Sequence, residues 1–234
     1  MRLHILGCDG TYPDALGACS AYLLTQGRDA LQLDLGCGSL PRLMAKTRPE
    51  ALGAICITHW HNDHVSDMLA LKYYLQINQL HLRVLAPLEN HPIRELLDGD
   101  EFHFEDISLP QTIAGFQIEA LPVVHPLPAY ALKISRDGKV FVYTGDAVGG
   151  KGLTDFCRGA DLLVCDATFL EAQWHPDMPH FSAAQAGQLA REAAVKQLLI
   201  THLPPDSDKL LLLKEAQDQF PRTLMAVNGL ELAV

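Results

Sequence analysis

The sequence predicts an α/β fold built of two similar halves, and three observations carry that prediction. Short apolar runs of strand length alternate with segments of helical periodicity along the whole chain, with no low-complexity tract and no Gly/Ser/Pro linker. One triplet recurs: Ile57-Thr58-His59 and Ile200-Thr201-His202 each close an apolar run. Residues able to bind metal stand just beyond the ends of several such runs.

Taken in order, Leu3 to Leu6, Ala21 to Leu24 and Leu31 to Leu35 read as strands, punctuated by turns at Gly10 and Gly27. Ala54 to Thr58 is a strand that feeds a histidine cluster. Val65 to Ile77 carries apolar residues at helical spacing. Leu82 to Leu85 reads as a strand and His91 to Leu97 as a helix. In the second half, Gln117 to Val124, Ala129 to Ile134 and Val140 to Thr144 are strands, the last two joined by a turn at Asp137-Gly138. Leu162 to Cys165 follows as a strand. Ser182-Ala183-Ala184-Gln185 has the spacing of a capping box and opens a helix to about Ala194. Leu198 to Thr201 is a strand, Asp208 to Phe220 the last helix, and strands near Leu224 and Leu230 complete the pattern.

Bulk composition narrows the function classes. With 234 residues, 48% of them hydrophobic, the chain can bury a sizeable core. No apolar run is long enough for a membrane span, and the start of the chain is too soon broken by Cys8-Asp9-Gly10 to read as a secretory signal, so a cytoplasmic protein is expected. The six cysteines (Cys8, Cys19, Cys37, Cys56, Cys157 and Cys165) form no C-x-x-C pair, which argues for reduced, mostly buried thiols. The formal net charge of −10, with Lys and Arg scattered, disfavours a grip on long nucleic acid and points to a small anionic substrate held by metal.

The chemistry concentrates in Thr58-His59-Trp60-His61-Asn62-Asp63-His64. Imidazole and carboxylate groups this close are costly to bury without a partner, and a divalent metal is the partner that takes both. Residues i and i+2 of an extended segment point the same way, so His59 and His61 suit one ion. Asp63 and His64 follow where the chain turns and suit a second. Three later residues qualify as further ligands: His125 between a strand and Pro126, Asp146 after Gly145, and His202 at the end of its strand. Each alone is also an ordinary loop or turn residue; their common position at strand ends is what joins them.

His59-x-His61-x-Asp63-His64, followed by His125, Asp146 and His202, resembles the metallo-β-lactamase superfamily, from Gly7 through His202. The resemblance implies a single four-layer αββα sandwich over residues 1–234, built of two similar halves, with two divalent metal ions at one edge. It implies His59, His61 and His125 on the first ion, Asp63, His64 and His202 on the second, and Asp146 between them. Asp34 matches the family's early, mainly structural aspartate. Zinc is favoured by the imidazole-rich set, with manganese or iron fitting the same ligands. Oligomeric state is not legible in the residues; members of the family dimerise, and the resemblance implies a homodimer.

Within the superfamily, His180-Phe181-Ser182-Ala183 resembles the His-x-[Ser/Thr]-Ala element of ribonuclease Z and related phosphodiesterases. Asp166-Ala167-Thr168-Phe169 resembles their acidic residue before Ala/Ser-Thr-Phe, with Asp for the more usual Glu. The chain departs from ribonuclease Z of the long-arm type in two ways. Only a hairpin lies between His125 and Asp146, so the tRNA-binding arm is absent, and Leu203-Pro204-Pro205 after His202 lacks the usual Ser and Arg. The expected function is hydrolysis of a small or cyclic phosphodiester by a hydroxide shared between two metals, with Asp63 orienting the nucleophile. His180, oriented by Asp166, would protonate the leaving oxygen. The competing readings are a ribonuclease Z-like tRNA 3′-processing endonuclease, a lactone or thioester hydrolase on the same metals, and a non-catalytic metal-binding module. Trp174-His175-Pro176 and Pro179 are expected to line the mouth of the site, while His4, His81, His91, His103 and His175 have no ligand-like setting.

Overall fold

A computed structural model describes all 234 residues. It contains two seven-stranded sheets. The first runs in the order β14-β1-β2-β3-β4-β5-β6, from β1 (Arg2–Gly7), β2 (Ala21–Gln26), β3 (Asp29–Leu33), β4 (Ala54–Cys56), β5 (Leu82–Ala86), β6 (Phe102–Asp106) and β14 (Glu231–Ala233). The second runs β13-β12-β11-β10-β9-β8-β7, from β7 (Gln111–Ile113), β8 (Phe116–Val123), β9 (Ala129–Arg136), β10 (Lys139–Tyr143), β11 (Leu162–Asp166), β12 (Leu198–Thr201) and β13 (Thr223–Met225).

The strand sequences explain why helices cover the outside. Side chains alternate across a strand, and here both faces are apolar. Tyr22 and Leu24 of β2, Ala54 and Cys56 of β4, and Leu162 and Val164 of β11 meet in one core between the sheets. Leu23 and Ile55 face outward, under a second core with α1 (Leu40–Met44) and α3 (Met68–Asn78). Leu163, Cys165 and Ile200 face outward on the other side, under α5 (Leu153–Cys157), α6 (Ala183–Glu192) and α7 (Lys209–Gln219). The layers are therefore α, β, β and α. No helix is long and apolar enough to cross a membrane. All six cysteines are free and only Cys37 is exposed; burial pushes the Cys56 thiol up to about 12, away from reactivity.

The sheets repeat one pattern of strand directions. β1, β2 and β3 are antiparallel neighbours, and β3 to β6 are parallel. β8, β9 and β10 are antiparallel neighbours, and β10 to β13 are parallel. The counterpart of β4 is thus β11, and that of β12 is β5. The recurring Ile-Thr-His triplet, which follows β4 and closes β12, falls on strands that are not counterparts and does not mark the repeat.

Several elements differ from the sequence reading. The helix expected over Val65 to Ile77 is two pieces, α2 (Asn62–Val65) and α3. The break falls at Asp67, whose N–H leaves the helical ladder for the carbonyl of Leu35 and whose carboxylate accepts from the N–H of Leu40 at 2.7 Å. β4 ends before Thr58 because the Thr58 N–H turns to the Asp34 carboxylate, at 2.8 Å. The strands β6 and β7 and the helices α1 and α5 were not expected. The capping box formed as expected: Ser182 Oγ accepts from Gln185 N and Gln185 Oε1 from Ser182 N, each at 3.1 Å.

Candidate metal centre

β1, β3, β4, β8, β10, β11 and β12 all point their C-terminal ends at one rim, and each delivers polar residues to it there. The segments are Asp9 to Thr11, Asp34, Thr58 to His64, His125, Thr144 to Asp146, Asp166 to Thr168, and His202. Asp34 is fully buried at the base. Its carboxylate accepts from Thr58 N, from Tyr143 Oη at 3.0 Å and from His64 Nδ1 at 2.7 Å. Two ligand candidates need unusual backbone: Gly145, at φ 59°, makes the turn into Asp146, and His202 itself sits at φ 59°.

His59, His61, His125 and Asp146 form one group of candidate ligands. His59 Nε2 and His125 Nε2 each lie 3.0 Å from His61 Nδ1. His125 Nδ1 faces the Pro179 carbonyl at 3.2 Å, and a carbonyl only accepts. The proton of a neutral His125 is therefore on Nδ1, and its Nε2 presents a lone pair. Burial holds His125 down at about 4 and holds His59 well below the ordinary histidine range, so both rings are neutral at physiological pH. His61 Nδ1 has at most one proton to share with the two Nε2 atoms that face it, whereas a cation among the three nitrogens satisfies them all.

Asp63, His64, Asp146 and His202 form the second group. Asp63 Oδ2 lies 3.1 Å from His202 Nε2, and the two Asp146 oxygens lie 3.1 Å from His64 Nε2 and 3.3 Å from His202 Nε2. His64 Nε2 and Asp146 Oδ1 are fully enclosed, 3.1 Å apart, and have no partner beyond each other. An imidazole nitrogen and a carboxylate oxygen enclosed in this way call for a cation between them, a proton when no metal is bound and a metal in its place. A divalent metal fits: the donors are imidazole nitrogen and carboxylate oxygen, and Asp146 belongs to both groups.

A third cluster overlaps the second. His180 Nδ1 lies 2.7 Å from Asp166 Oδ2 and 3.8 Å from Asp146 Oδ2, and its ring stacks on His202 at 4.8 Å. Asp166 is fully buried and also accepts from the N–H groups of Ala147 and Thr168 and from Thr168 Oγ1. Burial opposes charge on His180, but the Asp166 carboxylate outweighs it and lifts the imidazole to about 9. His180 Nε2 makes no hydrogen bond within the chain.

Every residue singled out in the sequence as a site candidate lies in this constellation. His4, His81, His91, His103 and His175 lie outside it, His91 instead capping α4 (Pro92–Leu97). The Trp174 to Pro179 segment reaches the centre through backbone: Trp174 Nε1 donates to the His180 carbonyl at 3.0 Å, and Pro179 supplies the carbonyl that faces His125. Thr11, Thr58 and Thr168 went unread in the sequence. Thr11, at φ 60°, donates its N–H to Asp63 Oδ2 at 2.9 Å. Only the nearness of Thr58 and Thr168 to ligand residues signalled them; nothing in the sequence signalled Thr11.

Metal loading is expected to displace a proton. Burial opposes charge on His64, but Asp146 and Asp34 outweigh it and hold this imidazole protonated well above the ordinary range when no metal is bound. A metal needs the neutral ring, so apparent affinity rises with pH and binding near pH 7 releases a proton. Zinc titration calorimetry in two buffers of different ionisation enthalpy reads this directly; a heat independent of buffer contradicts it.

A family model described as "Beta-lactamase superfamily domain" matches residues 34–203. The chain is 29% identical over 235 residues to the "Probable metallo-hydrolase YhfI" of Bacillus subtilis, with 94% of each sequence covered. The crystal structure of that metallo-beta-lactamase fold protein superposes with a TM-score of 0.93 at 28% identity, over 99% of this chain and 98% of the other. The ribonuclease Z of Archaeoglobus fulgidus is 28% identical over 265 residues, covering 82% of this chain and 84% of its own. The short form of human tRNase Z shares the fold, with a TM-score of 0.80 at 19% identity over 100% of this chain and 99% of the other. With the family model spanning most of the chain, and that span holding every candidate ligand from His59 to His202, the protein belongs to the beta-lactamase superfamily.

Proposed function

We propose that this protein is a metal-dependent hydrolase that cleaves a small or cyclic phosphodiester. The observation that carries the reading is the His180–Asp166 pair, 2.7 Å apart and set against the candidate ligands His202 and Asp146. His59, His61 and His125 would hold one divalent ion, Asp63, His64 and His202 a second, and Asp146 would reach both. Such ions, zinc by the donor set or else manganese or iron, supply Lewis-acid stabilisation of phosphoryl charge and acidify a bound water.

The chain's own groups supply the rest. Asp63, fixed by the Thr11 N–H and still slightly open to solvent, orients the attacking water through a carboxylate oxygen. His180 carries a proton at neutral pH and donates it to the departing oxygen, while Asp166 holds the ring in place. No lysine or arginine pairs with Asp63, Asp146 or Asp166. A site whose positive charge comes from metal and the His180 imidazolium, with no lysine or arginine, suits the single charge of a diester, and the net charge of −10 disfavours a long polyanion. The segment from His125 to Asp146 is filled by β9 and β10, with no inserted arm. Similarity to a probable metallo-hydrolase and to a ribonuclease Z agrees with hydrolysis at a phosphodiester.

The test is hydrolysis of bis(p-nitrophenyl) phosphate by protein loaded separately with zinc and with manganese. Turnover with either is expected. Absence of turnover by metal-loaded protein that instead hydrolyses a lactone or thioester would replace this reading with the acyl one.

A further inference from the structure

Two buried threonines, neither in the candidate ligand set, make the same pair of contacts. Thr58 Oγ1 lies 2.9 Å from Asp34 Oδ2 and 3.1 Å from His59 Nδ1. Thr168 Oγ1 lies 2.7 Å from Asp166 Oδ1 and 2.9 Å from His202 Nδ1. A hydroxyl has one proton to give, and a carboxylate only accepts. Each threonine therefore donates to its aspartate and must receive from its histidine. A proton is thereby placed on Nδ1 in both rings, and Nε2 is the nitrogen left to meet a metal. His59 Nε2 faces His61, at 3.0 Å, and Asp146; His202 Nε2 faces Asp63, at 3.1 Å, and Asp146.

The two devices are not copies of one ancestral position. Thr58 N donates to the Asp34 side chain just past β3, and Asp166 N donates to the Thr144 side chain just past β10. The register counterpart of Thr58 is thus Asp166. Thr168 lies two residues further along, yet its hydroxyl arrives at the same arrangement. The two histidines belong to different groups of candidate ligands, His59 to the set with His61 and His125 and His202 to the set with Asp63 and His64, although Asp34, to which Thr58 donates, also holds His64 Nδ1 at 2.7 Å.

We propose that Thr58 and Thr168 are positioning residues that each lock one histidine in the Nδ1–H form, so that each controls the affinity of a different metal ion. The inference rests on the metal reading above. Thr168 has a further task, because the carboxylate to which it donates is the one that orients His180.

The experiment measures zinc stoichiometry and affinity, by competition with a chromophoric chelator, for the wild type, Thr58→Val, Thr168→Val and the corresponding serine variants. Valine keeps the shape and removes the hydroxyl. Each valine variant is expected to bind one zinc about 10–100-fold more weakly, the usual cost of losing a partner behind a metal ligand, and the other zinc with a smaller loss. The serine variants are expected to restore both. Imidazole nitrogen NMR of the zinc-loaded wild type reads the lock without any substitution, and a protonated Nδ1 opposite a zinc-bound Nε2 is expected for His59 and His202. If a valine variant fails to fold, that spectrum decides. Two zinc ions at wild-type affinity in both valine variants, or an unprotonated Nδ1 on either ring in the spectrum, overturn the proposal. A wild type that binds no zinc instead overturns the metal reading beneath it.

Discussion

Replacing Asp146 by alanine is expected to empty both metal positions at once. Asp146 is the one residue common to all three groups of candidate ligands, and its two oxygens reach toward His64, His202 and His59 at 3.1, 3.3 and 3.7 Å. Removing it also leaves Asp63 as the one carboxylate that His64 Nε2 and His202 Nε2 face across the centre. The loss of affinity should exceed ~100-fold at each position, the upper end for a merely supporting partner of a ligand. Turnover should fall with it. Metal analysis after dialysis checks this, with Asp63→Ala as the contrast: that variant should lose metal chiefly from the position shared with His64 and His202. Retention of two ions by Asp146→Ala would remove the bridging role.

His180→Ala is expected to separate chemistry from metal binding. General acid catalysis is worth roughly 10²–10⁴-fold, so kcat should drop by about that factor while metal content stays unchanged. Equal loss of both would show His180 to be a ligand. The pH profile carries the sign. The acid works only while protonated, so activity is held below its pKa and lost as pH rises through it, near 9 for the metal-free environment. Asp166 holds that value up, and Asp166→Asn should therefore move the alkaline limb to lower pH. A limb that stays in place would mean that another group supplies the proton.

The centre is more legible in the sequence than the frame around it. The cluster from His59 to His64 reads directly because several ligand types fall within one turn of chain after an apolar strand. His125, Asp146 and His202 are legible only through their common position at strand ends. The frame is harder because some elements carry no strong pattern. β6 is Phe-His-Phe-Glu-Asp, whose alternation fades into acidic residues at the sheet edge, and β7 has only three residues. α1 and α5 are single turns held by packing rather than by propensity. The Val65 to Ile77 segment has continuous helical spacing, and what splits it is the bond from Asp67 to Leu35, made by residues distant in sequence. Thr168 is opaque for the same reason: it acts on His202 from the end of the neighbouring strand, a relation that no local pattern records.

The candidate ligands come from both sheets, with His59, His61, Asp63 and His64 delivered by the first and His125, Asp146 and His202 by the second. Ions bound there join the halves of the molecule as well as serving the reaction. A ligand that binds only the native form adds about 2.7 kcal/mol of stability when its free concentration is a hundred times its dissociation constant. A change of that size alters the steady-state abundance of a marginally stable protein several-fold through degradation of its unfolded form. Loss of metal would therefore loosen the joint between the two sheets as well as halt the reaction.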